Sequence, residues 1–186
     1  MYLIITASPN KDGLTAACGK VAYNGIESAG GVAEIIDISE LKLNPCMICG
    51  DGWGTCISKA ECVIDDCLAG IQEKIRDCEG MFLITPVYFG QPSERMKYFC
   101  DRFRRCEAFR KGGSWARGKN INLVAAAGGS GNGTATTLVE LENWCRHVQA
   151  IPQERIGITR FNRSYALSVI EDAGRRLVKR EFFKGF

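Results

Sequence analysis

Four cysteines occur close together in one segment of the chain, at Cys46, Cys49, Cys56 and Cys62, with Cys67 a short distance beyond them. A C-x2-C pair lets two thiolates converge on one centre, and two more cysteines complete a set of four. Four thiolates can hold an iron–sulfur cluster or a zinc ion, and without a metal they are free thiols. The spacing therefore indicates a metal centre, with an iron–sulfur cluster, zinc and free thiols as the alternatives.

A second set of candidate residues lies in the polar loop 8–15, which follows an apolar run. That order is typical of a buried strand leading into a helix. The first turn of a helix has unpaired backbone N–H groups and the positive end of the helix dipole, so it can bind a phosphate. Ser8, Asn10 and Thr15 add neutral donors, and Gly13 lets the backbone lie close to the anion. The alternative is an ordinary polar turn in which Thr15 caps the helix.

The same loop lacks both glycine patterns that bind nucleotide phosphates, G-x-G-x-x-G and G-x-x-x-x-G-K-S/T. A compact loop of hydroxyl groups and one amide suits a single terminal monophosphate, and FMN carries one. Two further loops follow strands, an aromatic one at 86–91 and a glycine-rich one at 128–133. The aromatic loop offers a flat face to a planar ring, and the glycine-rich loop lets its backbone lie close against that ring. The alternatives are a buried core pair for Tyr88 and Phe89 and a flexible surface turn for the glycines.

The elements that must position these loops alternate between strand and helix, which predicts a parallel sheet covered on both faces. The expected architecture is a flavodoxin-like three-layer sandwich, in which a five-stranded parallel sheet has the order 2-1-3-4-5. The first, third and fourth strands are then neighbours, so their loops converge at one edge of the sheet. The predicted strands are 2–7, 32–38, 81–85, 121–127 and 155–159, and the predicted helices are 15–28, 66–78, 93–105, 134–147 and 164–183.

Length and composition indicate one domain over residues 1–186, with a cysteine-rich insertion at about 39–67. The net charge of +3 is too small to indicate nucleic-acid binding, and no apolar run is long enough to cross a membrane. Without a secretory signal, cysteines are not expected to form disulfides, which predicts a cytoplasmic location. The remaining cysteines are interpreted as buried apolar residues: Cys18, Cys78, Cys100, Cys106 and Cys145.

The sequence resembles the NADPH-dependent FMN reductase family, and in particular its iron–sulfur flavoprotein branch. The segments that carry the resemblance are 7–15, 85–93 and the cysteine block ending at Asp66, and the resemblance extends over about residues 1–150. It implies an FMN-dependent oxidoreductase that forms a homodimer or homotetramer, with the flavin at a subunit interface.

By this resemblance, the first loop would bind the FMN phosphate, the second would hold the isoalloxazine ring, and the third would close over it. The candidate cofactor-binding residues are Ser8, Asn10, Gly13, Leu14, Thr15 and Ala16 in the first loop, Pro86, Val87, Tyr88, Phe89 and Gly90 in the second, and Gly128, Gly129, Ser130 and Gly131 in the third.

The iron–sulfur branch is known by a C-x2-C-x2-C-x4–7-C pattern that binds a 4Fe–4S cluster, whereas this chain has C-x2-C-x6-C-x5-C. The first and last spacings agree, and four extra residues separate the second and third cysteines. Glycines at 50, 52 and 54 would let this insert loop outward without moving the ligands. Otherwise the insert displaces Cys56, and Cys67 serves as the fourth ligand.

The predicted function is electron transfer through FMN, from NAD(P)H or a ferredoxin-like donor to an acceptor that the sequence does not identify. No nucleophile–base pair is visible, so no catalytic side chain is assigned. One alternative is an NAD(P)-binding oxidoreductase with Asp37 at the ribose, and another is a zinc-stabilised or cluster-free interaction module. Arg102, Arg104, Arg105 and Arg110 are interpreted as an exposed helix end or as a docking patch for an acidic partner.

Overall fold

Short apolar runs form the centre of the fold, which is described for residues 1–180 by a computed structural model. All five residues of the first strand are buried, as expected for a parallel strand with both faces covered. The strands are β1 (Tyr2–Thr6), β2 (Ala33–Asp37), β3 (Gly80–Tyr88), β4 (Gln91–Pro92), β5 (Asn120–Ala127) and β6 (Ile151–Thr159). The helices are α1 (Leu14–Ser28), α2 (Thr55–Ser58), α3 (Leu68–Asp77), α4 (Glu94–Glu107), α5 (Thr134–His147) and α6 (Arg163–Lys179).

Five strands of the described chain pair in parallel in the order β2-β1-β3-β5-β6. The short β4 lies outside this order and pairs antiparallel with the end of β3. The predicted flavodoxin-like order 2-1-3-4-5 is therefore confirmed. It makes β1, β3 and β5 neighbours, so the loops that follow them leave the same edge of the sheet.

Alternate side chains of each strand enter two separate cores, one on each face of the sheet. Leu3 and Ile5 of β1 pack in the core that includes α3, α4 and α5. Tyr2 and Ile4 pack in the core that includes α1 and α6. The protein thus has three layers, and the long cysteine-rich segment lies on the α4 side.

The end of β3 differs from the prediction, because the strand continues to Tyr88 instead of stopping at residue 85. It then turns back into β4 through Phe89 and Gly90, whose φ angles are 52° and 79°. Positive φ at both central residues is the conformation of a two-residue hairpin turn.

Smaller differences occur at other element ends. The last strand begins at Ile151, before the predicted start at 155. The predicted last helix extends to residue 183, and residues 181–183 lie outside the described part of the chain. No helix among residues 1–180 has the length and apolar character needed to cross a membrane.

Candidate functional site

The loop after β1 is ordered by its own side chains. The backbone N–H of Asn10 donates to Ser8 Oγ at 3.3 Å, and that of Asp12 donates to Asn10 Oδ1 at 3.1 Å. The N-cap of α1 is Gly13 and not Thr15, so the capping interpretation of Thr15 is wrong. No side chain of the described residues accepts a hydrogen bond from the first turn of α1, and no acidic residue lies in that turn. Its N–H groups are therefore available to an anion.

Buried Ser93 joins the tips of β1 and β3. Its hydroxyl donates to the carbonyl oxygen of Ala7 at 2.9 Å, and its backbone N–H donates to Thr85 Oγ1 at 3.0 Å. The Ser93 hydroxyl oxygen also accepts from the backbone N–H of Met96 and caps α4. These bonds hold the first and second loops in a fixed relation to each other and to α4.

The hairpin tip after β3 presents two aromatic side chains to the outside. Tyr88 is 43% exposed and Phe89 is fully exposed, so the interpretation of this pair as buried core is wrong. Pro86 is buried and Val87 is half-buried at the base of the hairpin. The aromatic rings are accordingly free to contact a ligand or another chain.

The glycine-rich loop after β5 packs directly against this hairpin. A Cβ atom at Gly133, which has a φ of 85°, would lie 2.6 Å from Gly90 Cα and 3.0 Å from Val87 Cγ1. The hydroxyl of Thr136 donates to the carbonyl oxygen of Gly90 at 2.6 Å. Only glycine fits at position 133. Gly133 lies in the predicted glycine-rich loop but was not among the predicted site residues.

Together these loops, 8–13, 86–91 and 128–133, form what we call the three-loop edge. The second and third loops enclose an open cleft of about 390 Å³. Of the predicted residues, the cleft brings together Val87, Phe89, Gly90, Gly128, Gly129, Ser130 and Gly131. Those of the first loop do not line this cleft and lie beside it, at the tip of the neighbouring strand β1.

Four cysteines of the insertion line a second cavity, which lies against α4 and which we call the cysteine cavity. They are Cys46, Cys49, Cys56 and Cys62. Cys67 instead lines a surface depression beside β2. The geometry thus favours the four spaced cysteines over a set that includes Cys67.

The extra residues between the second and third cysteines contain three glycines, and their backbone shows why glycine is used there. Gly50 and Gly52 have φ angles of 62° and 96°. A Cβ at Gly54 would lie 2.5 Å from Cys49 Sγ, so glycine allows the chain to pass close to that sulfur. Trp53, at the tip of the insert, packs on Arg105, whose guanidinium carbon lies 4.0 Å from the ring centre.

A buried ion pair fastens the insertion to α4. Arg102 Nη1 lies 2.6 Å from Asp66 Oδ2, and the two side chains are 1% and 0% exposed. Arg102 also donates to the carbonyl oxygen of Asn44 at 3.0 Å and to Cys62 Sγ at 3.2 Å. Burial alone would raise the pKa of Asp66, but hydrogen bonds from Arg102 and from backbone N–H groups outweigh it and lower that pKa.

Two of the four arginines interpreted as an exposed helix end are not exposed. Arg102 is buried in the ion pair with Asp66. The Arg110 side chain is 13% exposed and pairs with buried Glu107 at 2.9 Å. A docking patch made of all four arginines is therefore wrong, because the charges of Arg102 and Arg110 are used inside the protein.

A fifth cysteine, Cys106 of α4, also faces the cysteine cavity. Burial, reinforced by the neighbouring cysteines, raises the pKa of the Cys106 thiol to about 12, so it remains neutral. Among residues 1–180, no group of three cysteine, histidine or acidic side chains is arranged to hold a single metal ion. The four thiols that line the cysteine cavity are a donor set that either an iron–sulfur cluster or a zinc ion can take.

Known proteins match the chain over most of its length. The sequence profile described as NADPH-dependent FMN reductase matches residues 2–160. An iron–sulfur flavoprotein of Methanocaldococcus jannaschii is 31% identical over 140 residues, which make up 75% of this chain and 68% of that protein.

Solved structures share the fold at low sequence identity. An NAD(P)H:quinone oxidoreductase from Methanothermobacter marburgensis has a TM-score of 0.72 and 17% identity, with 95% of this chain and 94% of that one covered. A flavodoxin from the domain Archaea has a TM-score of 0.64 and 14% identity, with 97% and 98% covered. The chain therefore belongs to the NADPH-dependent FMN reductase family and to its iron–sulfur flavoprotein branch, and it is an FMN-dependent oxidoreductase.

Proposed function

We propose that this protein is an electron-transfer flavoprotein that binds FMN at the three-loop edge and a 4Fe–4S cluster in the cysteine cavity. It would move electrons from NAD(P)H or a ferredoxin-like donor to an acceptor. The observation that carries the proposal is that the four spaced cysteines line one cavity. In the same chain, a flavodoxin-like sheet brings the three predicted loops to one edge.

At the three-loop edge, the residues of the first loop bind the FMN phosphate. The free N–H groups at 14–16 and the dipole of α1 supply the positive potential. Ser8, Asn10 and Thr15 supply neutral donors around it. Val87, Gly90 and residues 128–131 then lie along the isoalloxazine ring, and bound FMN supplies hydride or single-electron transfer.

In the cysteine cavity, the chemistry of the lining supports an iron–sulfur cluster. Four thiolates are strongly anionic, and Arg102 and Arg105 line the same cavity with their positive charges. A zinc ion needs its four sulfurs about 2.3 Å from one point. Four thiolates can hold either metal centre, and the similarity to an iron–sulfur flavoprotein favours the cluster, which supplies one-electron transfer when bound.

The exposed hairpin tip supports association with a further copy of the chain. Tyr88 and Phe89 stand out from the second loop, where apolar rings would gain from being covered. We propose that the protein is a homodimer or homotetramer in which this tip contacts a neighbouring subunit.

Anaerobic purification with measurement of the spectrum, flavin, iron and acid-labile sulfide tests the proposal. We expect one FMN, four irons and four sulfides per chain. Zinc without iron or sulfide would contradict electron transfer through a cluster and would support the interaction module instead. A protein that takes up no FMN would contradict the flavin site.

The phosphate site is tested by titrating FMN into two variants with changes at opposite ends of α1. Thr15→Ala removes a buried hydroxyl at the proposed phosphate, whereas Ser28→Ala removes the hydroxyl of an exposed residue at the far end of α1. A hydrogen bond to a charged group contributes about 1.5–3 kcal/mol. We expect Thr15→Ala to weaken FMN binding by roughly tenfold or more, and equal affinities in both variants would contradict the site.

A further inference from the structure

Two arginines of α4 have buried hydrogen-bond donors with no partner in the described part of the chain. They are the Nε atoms of Arg102 and Arg105, and both side chains line the cysteine cavity. An unpartnered buried N–H is costly unless a ligand completes it. Because both side chains line the cavity that the four cysteines also line, an anionic occupant would meet two guanidinium groups on the α4 wall.

We propose that Arg102 and Arg105 are positioning residues that raise the reduction potential of the cluster in this cavity. The inference rests on the proposed function, because it requires the cluster. Reduction adds one negative charge to a site that already holds four thiolates. Nearby positive charge and N–H···S hydrogen bonds stabilise the more negative, reduced form more than the oxidised form.

Arg102 acts mainly through a hydrogen bond. Asp66 binds both of its Nη atoms, and the Asn44 carbonyl holds Nη1, so the guanidinium is fixed before any metal binds. Nη2 also donates a hydrogen bond to Cys62 Sγ, which lies 3.2 Å away. Asp66 balances the charge of Arg102. Only the planar guanidinium group of an arginine can make all of these contacts at the same time.

Arg105 acts mainly through its charge. Its guanidinium contacts the carbonyl oxygen of Gly52 and lies over the ring of Trp53, and among the described residues it forms no ion pair. The insert between the second and third cysteines thus holds an unbalanced positive charge against the cavity. This gives the extra residues a role in orienting Arg105.

Arg104 provides a matched control on the same helix. It has the same charge as Arg105 and is next to it in sequence, but it lines a separate cavity between α4 and α5. Arg104→Gln and Arg105→Gln therefore make the same charge change on two different sides of α4.

The experiment is a redox titration of the anaerobic, cluster-loaded proteins, followed by electron paramagnetic resonance. We expect Arg105→Gln and Arg102→Lys each to lower the equilibrium constant for cluster reduction by roughly tenfold, which equals about 59 mV. Arg104→Gln is expected to leave it within about twofold of wild type. The flavin potential, measured in the same samples, should stay unchanged in all three variants.

The failures of this inference and of the proposed function are distinguishable. A wild-type protein that holds a cluster, with equal cluster potentials in Arg105→Gln and Arg104→Gln, would overturn the inference alone. A wild-type protein without iron and sulfide would overturn the cluster itself. Arg105 is only partly buried and forms no ion pair within residues 1–180, so we expect its variant to fold and to decide the outcome even where Arg102→Lys does not fold.

Discussion

The three-loop edge and the cysteine cavity are built in different ways. At the three-loop edge, strand pairing sets the positions, and short bonds such as Ser93 to Ala7 fix neighbouring loops. At the cysteine cavity, a long insertion without strands is held by side chains from α4, above all by Arg102. The first site depends on the fold, and the second depends on a few contacts between residues distant in sequence.

This difference implies that the two sites should respond separately to substitution. Changes in the insertion should affect metal binding and stability while FMN binding remains. Changes at the loop tips should affect FMN binding while the metal remains. Four substitutions, from the largest expected effect to the smallest, test this separation.

Loss of a metal ligand is expected to have the largest effect. Cys49→Ala should lose the iron and sulfide and keep FMN, because Cys49 lines the cysteine cavity away from the loop tips. Cys67→Ala, which removes a cysteine outside that cavity, should keep both. Iron, sulfide and flavin analysis of the purified variants provides the measurement, and metal loss in Cys67→Ala would contradict the ligand set.

Breaking the buried ion pair should have the next largest effect. Asp66→Asn leaves Arg102 without its carboxylate and should lower the free energy of unfolding by about 3–5 kcal/mol. Asp65→Asn, at the exposed neighbouring residue, should change it by less than about 0.5 kcal/mol. Urea unfolding measures both, and FMN affinity should stay within about twofold of wild type.

The same pair predicts a pH dependence. The pKa of Asp66 is lowered in the folded protein, so its contribution is complete above the pKa of an unfolded aspartate, about 3.9. The contribution is lost as the pH falls through the lower folded value. The stability difference between wild type and Asp66→Asn should therefore narrow in acid, and a difference that widened there would contradict this assignment.

A side chain at Gly133 should disturb the three-loop edge. Gly133→Ala places a Cβ 2.6 Å from Gly90 Cα at a positive φ, so we expect a loss of about 1–3 kcal/mol and weaker FMN binding. Gly70→Ala, in α3 outside the three-loop edge, meets nothing within 4 Å and has no positive φ, so it should lose no stability and bind FMN as wild type does. Thermal unfolding and FMN titration compare the pair, and iron content should not change in either variant.

Removing the Ser93 hydroxyl should have the smallest effect. Ser93→Ala loses the cap of α4 and the bond to Ala7, which predicts a loss of about 1–2 kcal/mol. Ser168→Ala on the exposed face of α6 serves as the control. Urea unfolding checks the difference, and an unchanged stability would show that the strand tips are held by other contacts.

Most of the fold could be predicted from the sequence, because apolar runs and helix signals are local. The alternation of strands and helices predicted the parallel sheet, and the expected flavodoxin-like order placed the three loops at one edge. The exposure of Phe89 could not be predicted from the sequence, because the two-residue hairpin turn depends on a β4 strand of only two residues. Without that hairpin turn, an aromatic pair that follows an apolar strand is most simply interpreted as part of the hydrophobic core.

The walls of the cysteine cavity could not be predicted. The spacing of the cysteines indicated a metal site, but Arg102 and Asp66 are 36 residues apart, and nothing local marks them as partners. Arg102 lies among other arginines in a polar helix, so sequence patterns favour exposure. Its burial is decided by the way the insertion folds back on α4.

Helix α4 begins with Ser93 at the three-loop edge and carries Arg102 beside the cysteines. At a rise of about 1.5 Å per residue, these two positions are separated by roughly 13.5 Å along the helix axis. Because both residues belong to one helix, the length of α4 fixes the spacing between the three-loop edge and the cysteine cavity. A change in the length of the cysteine-rich insertion that leaves α4 intact would therefore leave this spacing unchanged.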